Sequence, residues 1–304
     1  MVAPQVGADE PQQAGFPTGR IYTGITWQPP GQRSVTQIVA IDPETGAFES
    51  VAASGNDVRL SPDRRTIAFR NSFETTCDVL IRNVGEDENG RRIWTGDGSA
   101  GVCWTHDGKH VVVIQAIRAD DRWKFTNWLV EPESAEASQL ELPDTEGIVD
   151  CAHHTDLLIS WSFRNKKRIE LFTLRPDGSD ATNLTSNGQY DYHGRFSPDD
   201  TRIAFMRRQG GQFSVCTADI DGKNPQIAFT EKGLTYPDHV AWSPDGKQLA
   251  AVLFDWALDA EGRKVFRDAD ANFRIAIMNP DGSDFRELKL NGDVIFMGGD
   301  LDWR

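Results

Sequence analysis

Four side chains able to hold a metal or move a proton recur at one position of a repeated stretch: Asp57, His193, His239 and Asp300. Each stands three residues before an aromatic or apolar anchor, respectively Leu60, Phe196, Trp242 and Trp303. The same position holds Gly101 before Trp104. It holds Asp150 or Cys151 in a degenerate copy between Val149 and Trp161, whose shortened turn leaves the register open. Imidazole with carboxylate suits a divalent transition ion such as Zn, Mn or Ni better than calcium, which favours oxygen alone. The same residues would equally serve to pair with one another and with strand-end amides around a water-filled channel. Either chemistry needs segments far apart in the chain to meet.

The repeats supply that convergence. Tyr236 to Ala250 reads as a short strand, a Ser243-Pro244-Asp245-Gly246 turn and a second apolar strand. Proline presets φ at the second turn position, and His239-Val240-Ala241-Trp242 alternates with the period of two that a half-buried strand requires. Further copies surround Ser61-Pro62-Asp63, Thr105-His106-Asp107-Gly108 and Ser197-Pro198-Asp199. Each is followed by a third strand, a polar turn such as Asn279-Pro280-Asp281-Gly282, and a weaker fourth strand. Anchors recur at multiples of roughly 45 residues, the period of a four-stranded propeller blade, with a longer last interval.

The first unit (Ile21–Trp27, Gln37–Ile41, Phe48–Val51) lacks an opening strand, and Asp300–Trp303 is an opening strand without successors. Pairing the two closes a ring of six blades and removes exposed sheet edges. The expected fold is all-β: a six-bladed β-propeller of four-stranded antiparallel blades over residues 19–304, closed by the C-terminal strand. Residues 1–18, rich in Pro, Gln, Gly and Ala, are expected to form a disordered N-terminal tail.

The pattern Trp/Phe-Ser-Pro-Asp-Gly followed by Ile-Ala-Phe, and later Asn/Asp-x-Asp-Gly, resembles the TolB-like (WD40-like, PD40) propeller repeat family over virtually the whole chain. That resemblance implies a six-bladed fold. It also implies a choice among periplasmic scaffolds, the propellers of prolyl-oligopeptidase-like peptidases and oligogalacturonate-lyase-like enzymes. No Gly-x-Ser-x-Gly elbow is present for a peptidase domain, and no glycine loop for phosphate.

A net charge of −14 argues against non-specific nucleic-acid binding. No apolar run reaches the length of a membrane span. The sequence shows no secretory signal, although Met1-Val2-Ala3-Pro4 fits a trimmed mature start; a periplasmic or otherwise exported monomer is expected, with a cytoplasmic one as the alternative. Cys77, Cys103, Cys151 and Cys216 are scattered without metal spacing and read as four small buried residues in preference to a structural pair.

The hairpin loops on the channel-mouth face are basic. They carry Arg33, Arg118, Arg122, Lys124, Arg164, Lys166, Lys167, Arg207, Arg208, Arg263, Lys264 and Arg267, with Trp123 and Trp256 among them. Such groups would bind an anionic ligand, guanidinium to carboxylate and indole to sugar ring, unless the charges are simply solvated tips. The expected ligand set is Arg118, Arg122, Trp123, Lys124, Arg164, Lys167, Arg208 and Trp256. The insertion from Phe254 to Asn272 is a candidate lid, and Asp268 to Asn272 opens like a calcium loop but has Phe273 at the turn-glycine position. His153 and His154, adjacent on a strand, would face opposite ways.

Two functions follow. One is a non-catalytic scaffold that binds a protein or an anionic polymer through the channel mouth. The other, implied by the resemblance to oligogalacturonate lyases, is a metal-dependent lyase on an anionic oligosaccharide, with the metal at Asp57, His193, His239 and Asp300 acidifying a proton alpha to a uronate carboxylate, which a loop arginine or histidine removes.

Overall fold

The structure, a computed structural model, describes residues 15–27, 35–72, 75–87, 89–119, 122–142, 147–162, 168–265, 273–291 and 294–304. Six four-stranded antiparallel sheets form the blades. Their first strands are Val294–Trp303, Asn56–Leu60, Ser99–Trp104, Gly147–Cys151, Tyr190–Phe196 and Thr235–Trp242, and each touches the next in a closed ring. The C-terminal strand pairs antiparallel with Ile21–Trp27, with Ile21 opposite Trp303 and Tyr22 opposite Asp302. The first blade is thus built from both ends of the chain.

Each inner hairpin is fixed by its turn. The Ser61, Ser197 and Ser243 hydroxyls donate to Asp63, Asp199 and Asp245 at 2.7, 2.6 and 2.7 Å, and Thr105 donates to Asp107 at 2.8 Å. The same hydroxyl oxygens accept the amide that starts the second strand, as in Gln248 to Ser243 at 2.8 Å. Pro, Ser and Asp therefore hold the turn by local bonds, independently of packing.

The anchors join the blades. The Trp104 indole donates to the carbonyl of Arg59 at 3.1 Å, and Trp242 donates to that of Arg195 at 3.3 Å. In the other direction, Asp302 accepts the amide of Leu60 at 2.7 Å, and Asp150 that of Phe196 at 2.8 Å. Apolar cores lie between adjacent sheets; one combines Ile25, Val39 and Leu301 of the first blade with Val252, Ile275 and Ile277 of the sixth.

Two details differ from expectation. Within the stretch expected to be tail, Phe16 is buried against Tyr22 and the second blade, its amide donating to Arg64 and the Tyr22 hydroxyl donating to Pro17. Cys103 and Cys151 are joined in a disulfide between blades three and four (Cα–Cα 6.0 Å), while Cys77 and Cys216 are free and buried. The pair meets because Cys103 precedes the anchor Trp104 and Cys151 is itself the anchor of blade four, on neighbouring inner strands. Cys103→Ser, or reduction, is expected to lower the unfolding free energy by about 2–4 kcal/mol. A urea midpoint unchanged by reductant would show that the bridge does not form.

Candidate functional site at the channel mouth

Asp57, His193, His239 and Asp300 do meet: all four line one vestibule of about 470 Å³ at the upper end of the channel. The pairing register brings them there through bulges. It slips between Asn56 and Arg59, between Tyr192 and Arg195, and between Pro237 and Val240. Asp57 and His193 adopt φ values of 50° within these bulges. Left-handed backbone at a non-glycine residue costs of order 1 kcal/mol, and bulges are a common way of re-aiming a side chain beside a site.

Blade four does not contribute a polar group at this level. Cys151 pairs with Leu158 as Trp104 pairs with Val111, so Cys151 is the anchor and Ile148 stands three residues before it. Asp150 instead occupies the position just before the anchor. That position holds Arg59, Asp150, Arg195 and Asp302 in blades two, four, five and one.

The vestibule floor is an ion network centred on Asp300. Its Oδ2 lies 2.7 Å from Arg59 Nη2 and 2.5 Å from Arg195 Nη2, and its Oδ1 lies 2.6 Å from His239 Nδ1. Burial opposes ionisation of Asp300, but Arg195, Arg59 and His239 together hold its carboxyl well below the ordinary range. Asp57 accepts the Asp300 amide at 3.0 Å and pairs with Arg70 at 2.9 Å.

The two imidazoles stack, with centroids 4.3 Å apart and planes at 13°. Burial works against protonating His239, but Asp238 and Asp300 outweigh it and raise the ring to about 9. Burial and the neighbouring His239 cation lower His193 to about 4. Near neutrality the stack therefore carries one charge, on His239.

His193, Asp238 and His239 offer ligand atoms within 4.8 Å of one another, and the buried Nδ1 of His193 has no hydrogen-bond partner among the described residues. Two imidazoles with one carboxylate are a donor set suited to a divalent transition ion. Asp238 thus stands beside both imidazoles, whereas Asp57 is engaged by Arg70, and Asp300, which also touches His239, is engaged by Arg59 and Arg195. Asp238, Arg59 and Arg195 do not stand at the repeat position three before the anchor; the position just before each anchor carries the signal for the two arginines.

Several loop residues differ from a simple basic rim. Arg118, Trp123 and Lys124 are exposed on the blade-three hairpin, and Arg208 lies exposed over the Phe213 ring at 5.2 Å. Arg122 belongs to the strand Arg122–Val130. Arg207 pairs with buried Asp191, Arg263 with Asp259, and Lys264 with Glu231. Trp256 turns inward, its centroid 5.2 Å from Tyr236 and 5.6 Å from Phe254, so its indole is not a free platform. Arg33, Arg164, Lys166, Lys167, Arg267 and the stretch from Asp268 to Asn272 lie outside the described residues. His153 and His154 lie at the other end of the channel.

Curated relatives match parts of the chain. A 55-residue segment is 44% identical to the Tol-Pal system protein TolB of Bordetella avium, covering 18% of this chain and 12% of that protein. A 150-residue segment is 27% identical to the TolB of Anaeromyxobacter sp., covering 44% of this chain and 33% of that protein. Among solved structures, TolB from Acinetobacter baumannii aligns over 94% of this chain and 66% of its own, with a TM-score of 0.65 and 19% identity. The chain is a six-bladed β-propeller with a TolB-like fold. No family model matches it, and the matched segments span only a minor part of the curated TolB proteins. The TolB-like fold is shared beyond TolB: an oligogalacturonate lyase from Vibrio parahaemolyticus aligns over 90% of the chain and 79% of its own, with a TM-score of 0.54 and 12% identity.

The histidine stack predicts a pH optimum of stability in metal-free protein. His239, raised to about 9, stabilises fully below about 6.5, and its contribution is lost as pH rises from there to 9. His193, lowered to about 4, makes stability fall as pH drops from about 6.5 to 4. Urea unfolding should therefore be most demanding near pH 6.5, with a loss of roughly 2 kcal/mol by pH 9 that His239→Gln abolishes. A flat profile between pH 6.5 and 9 would contradict the assigned charge.

Proposed function

We propose that this chain is a non-catalytic, exported binding propeller that presents its channel-mouth face to a protein partner. The observation that carries the reading is the distribution of exposed side chains. Of six exposed large apolar side chains among the described residues, Trp123, Tyr190, Leu234 and Leu258 (56, 39, 38 and 49% exposed) lie by topology, with Lys124 and Arg208, on the face that surrounds the vestibule, while Ile227 and Phe285 lie on outer parts of their blades. Aromatic and guanidinium groups around a concave centre are the composition of a protein interface. Beneath them, Asp300 is held by Arg59 and Arg195, which leaves a net positive charge on the three beside the His239 cation, so the floor offers shape and positive charge more than reactive groups. The TolB resemblance supports a protein partner, and the Cys103–Cys151 disulfide supports an oxidising compartment such as the periplasm. Co-purification from envelope extracts with Trp123→Ala and Tyr190→Ala alongside tests it. Loss of a specific partner in both variants, with thermal stability unchanged, is expected; retention in both would overturn the assignment of this face.

A second reading rests on the His193, Asp238 and His239 cluster. These residues would hold a divalent ion, which when bound would supply Lewis acidity toward an anionic sugar. The chain's own contribution would be His193 and His239 as neutral ligands, with Asp57 and Asp300 kept in place by Arg70, Arg59 and Arg195. Elemental analysis of purified protein, with His193→Ala and His239→Ala, separates the readings. Stoichiometric metal lost in both variants, together with formation of an unsaturated uronate from oligouronates, would favour the lyase. Absence of both would leave the scaffold.

A further inference from the structure

The opposite face, where the Ser-Pro-Asp turns lie, has its own opening into the channel. A cavity of about 300 Å³ is lined there by Pro62, Pro198, Pro244 and Trp242, with Arg64, His153, Asp302, Trp303 and Arg304 among the polar members. Its acids are satisfied from within. Asp302 accepts the Leu60 amide and Arg304 Nε, and Asp150 accepts the Phe196 amide. Arg59 and Arg195 also line it but are already engaged, both by Asp300 and by backbone carbonyls, and Arg195 by Asp150 at 4.0 Å.

Donors are left over. Trp303 is 6% exposed, and its buried indole N–H has no acceptor among the described residues, although the equivalent indoles of Trp104 and Trp242 each donate to the preceding blade. Arg304 Nη1 lies 2.8 Å from His153 Nδ1. A guanidinium can only donate, so Nδ1 accepts and the ring proton of His153 is on Nε2. Arg64 has no side-chain hydrogen bond or ion pair among the described residues.

The backbone at Arg64 adds weight. The fourth turn position takes φ of 69° at Gly108 and 68° at Gly246, but 58° at Arg64 and 56° at Asp200. A left-handed non-glycine residue costs about 1 kcal/mol. Asp200 offsets it by accepting the amides of His153 and His154 at 2.8 and 2.7 Å. The Arg64 side chain makes no such return among the described residues, although its backbone carbonyl accepts the Phe16 amide at 2.7 Å.

We propose that this lower cavity is a second ligand site, which receives a compact carboxylate through Arg64, with the Trp303 and His153 N–H groups as further donors and the prolines and Trp242 packing its apolar body. An acceptor-only group of single charge matches one unpaired guanidinium among neutral N–H donors. The volume, at the lower end of the roughly 300–1,000 Å³ usual for such sites, restricts the ligand to a small organic acid or the terminal residue of a peptide. The site is independent of the vestibule reading, because it lies on the other face and shares none of the exposed side chains invoked there.

The test is calorimetric titration of the intact chain with hexanoate, with an acetylated tripeptide ending in a free leucine carboxylate, and with the same peptide amidated. Saturable binding of a carboxylate probe and none of the amide is expected; preference for the peptide or for hexanoate tells the two sources apart. Arg64→Gly, which restores the turn's usual residue, should keep or raise thermal stability while weakening binding by at least about tenfold. Trp303→Phe, which keeps the ring but removes the N–H, should also weaken it. No saturable binding of either carboxylate at millimolar concentration, or binding that both variants leave within about twofold, would overturn the proposal.

Discussion

One carboxylate, that of Asp300, binds the closing strand to two arginines from other blades. Arg59 comes from blade two, Arg195 from blade five, and the adjacent cation His239 from blade six. Without it, two guanidinium groups would be left inside the channel with backbone carbonyls as their main partners. Placing ions away from water is costly, so such a network is no more stabilising than well-packed apolar side chains. What it does is select: the C-terminal strand can close the ring only in the register that delivers Asp300 to Arg59 and Arg195, with Asp302 on the Leu60 amide.

The same network divides the channel. Arg195 lines the cavities on both sides of it. Above are stacked imidazoles, acids already engaged by arginines, and a rim of exposed aromatic and basic groups. Below are satisfied acids and unpaired donors between prolines. The two mouths therefore differ in chemistry although every blade follows one pattern. The difference comes from which residue each repeat carries at two positions, three before the anchor and one before it.

The ring itself was legible in the chain. Ser-Pro-Asp-Gly turns act through local bonds, and the incomplete first unit needs the orphan strand at the end, so six blades and their closure follow from pattern alone. The convergence of Asp57, His193, His239 and Asp300 was legible for the same reason. Their partners were not. Whether Asp300 faces a metal, water or arginine depends on long side chains reaching across the channel from Arg59 and Arg195, and no periodicity records reach. Blade four misled because its short turn hides the anchor at Cys151, which also concealed the disulfide to Cys103. Trp256 misled because an aromatic residue in a loop reads as exposed, whereas Tyr236 and Phe254 gather it into a cluster.

The ionic clasp is tested most directly by a double-mutant cycle between Asp300→Ala and Arg195→Met, followed by urea unfolding. Each single variant should lose about 3–5 kcal/mol, since each leaves charge buried without its full complement of partners. The double variant should lose clearly less than the two combined, giving a coupling of at least about 1 kcal/mol. Losses that simply add, to within about 0.5 kcal/mol, would mean that the carboxylate and the guanidinium do not act as a unit and that the ring closes for other reasons.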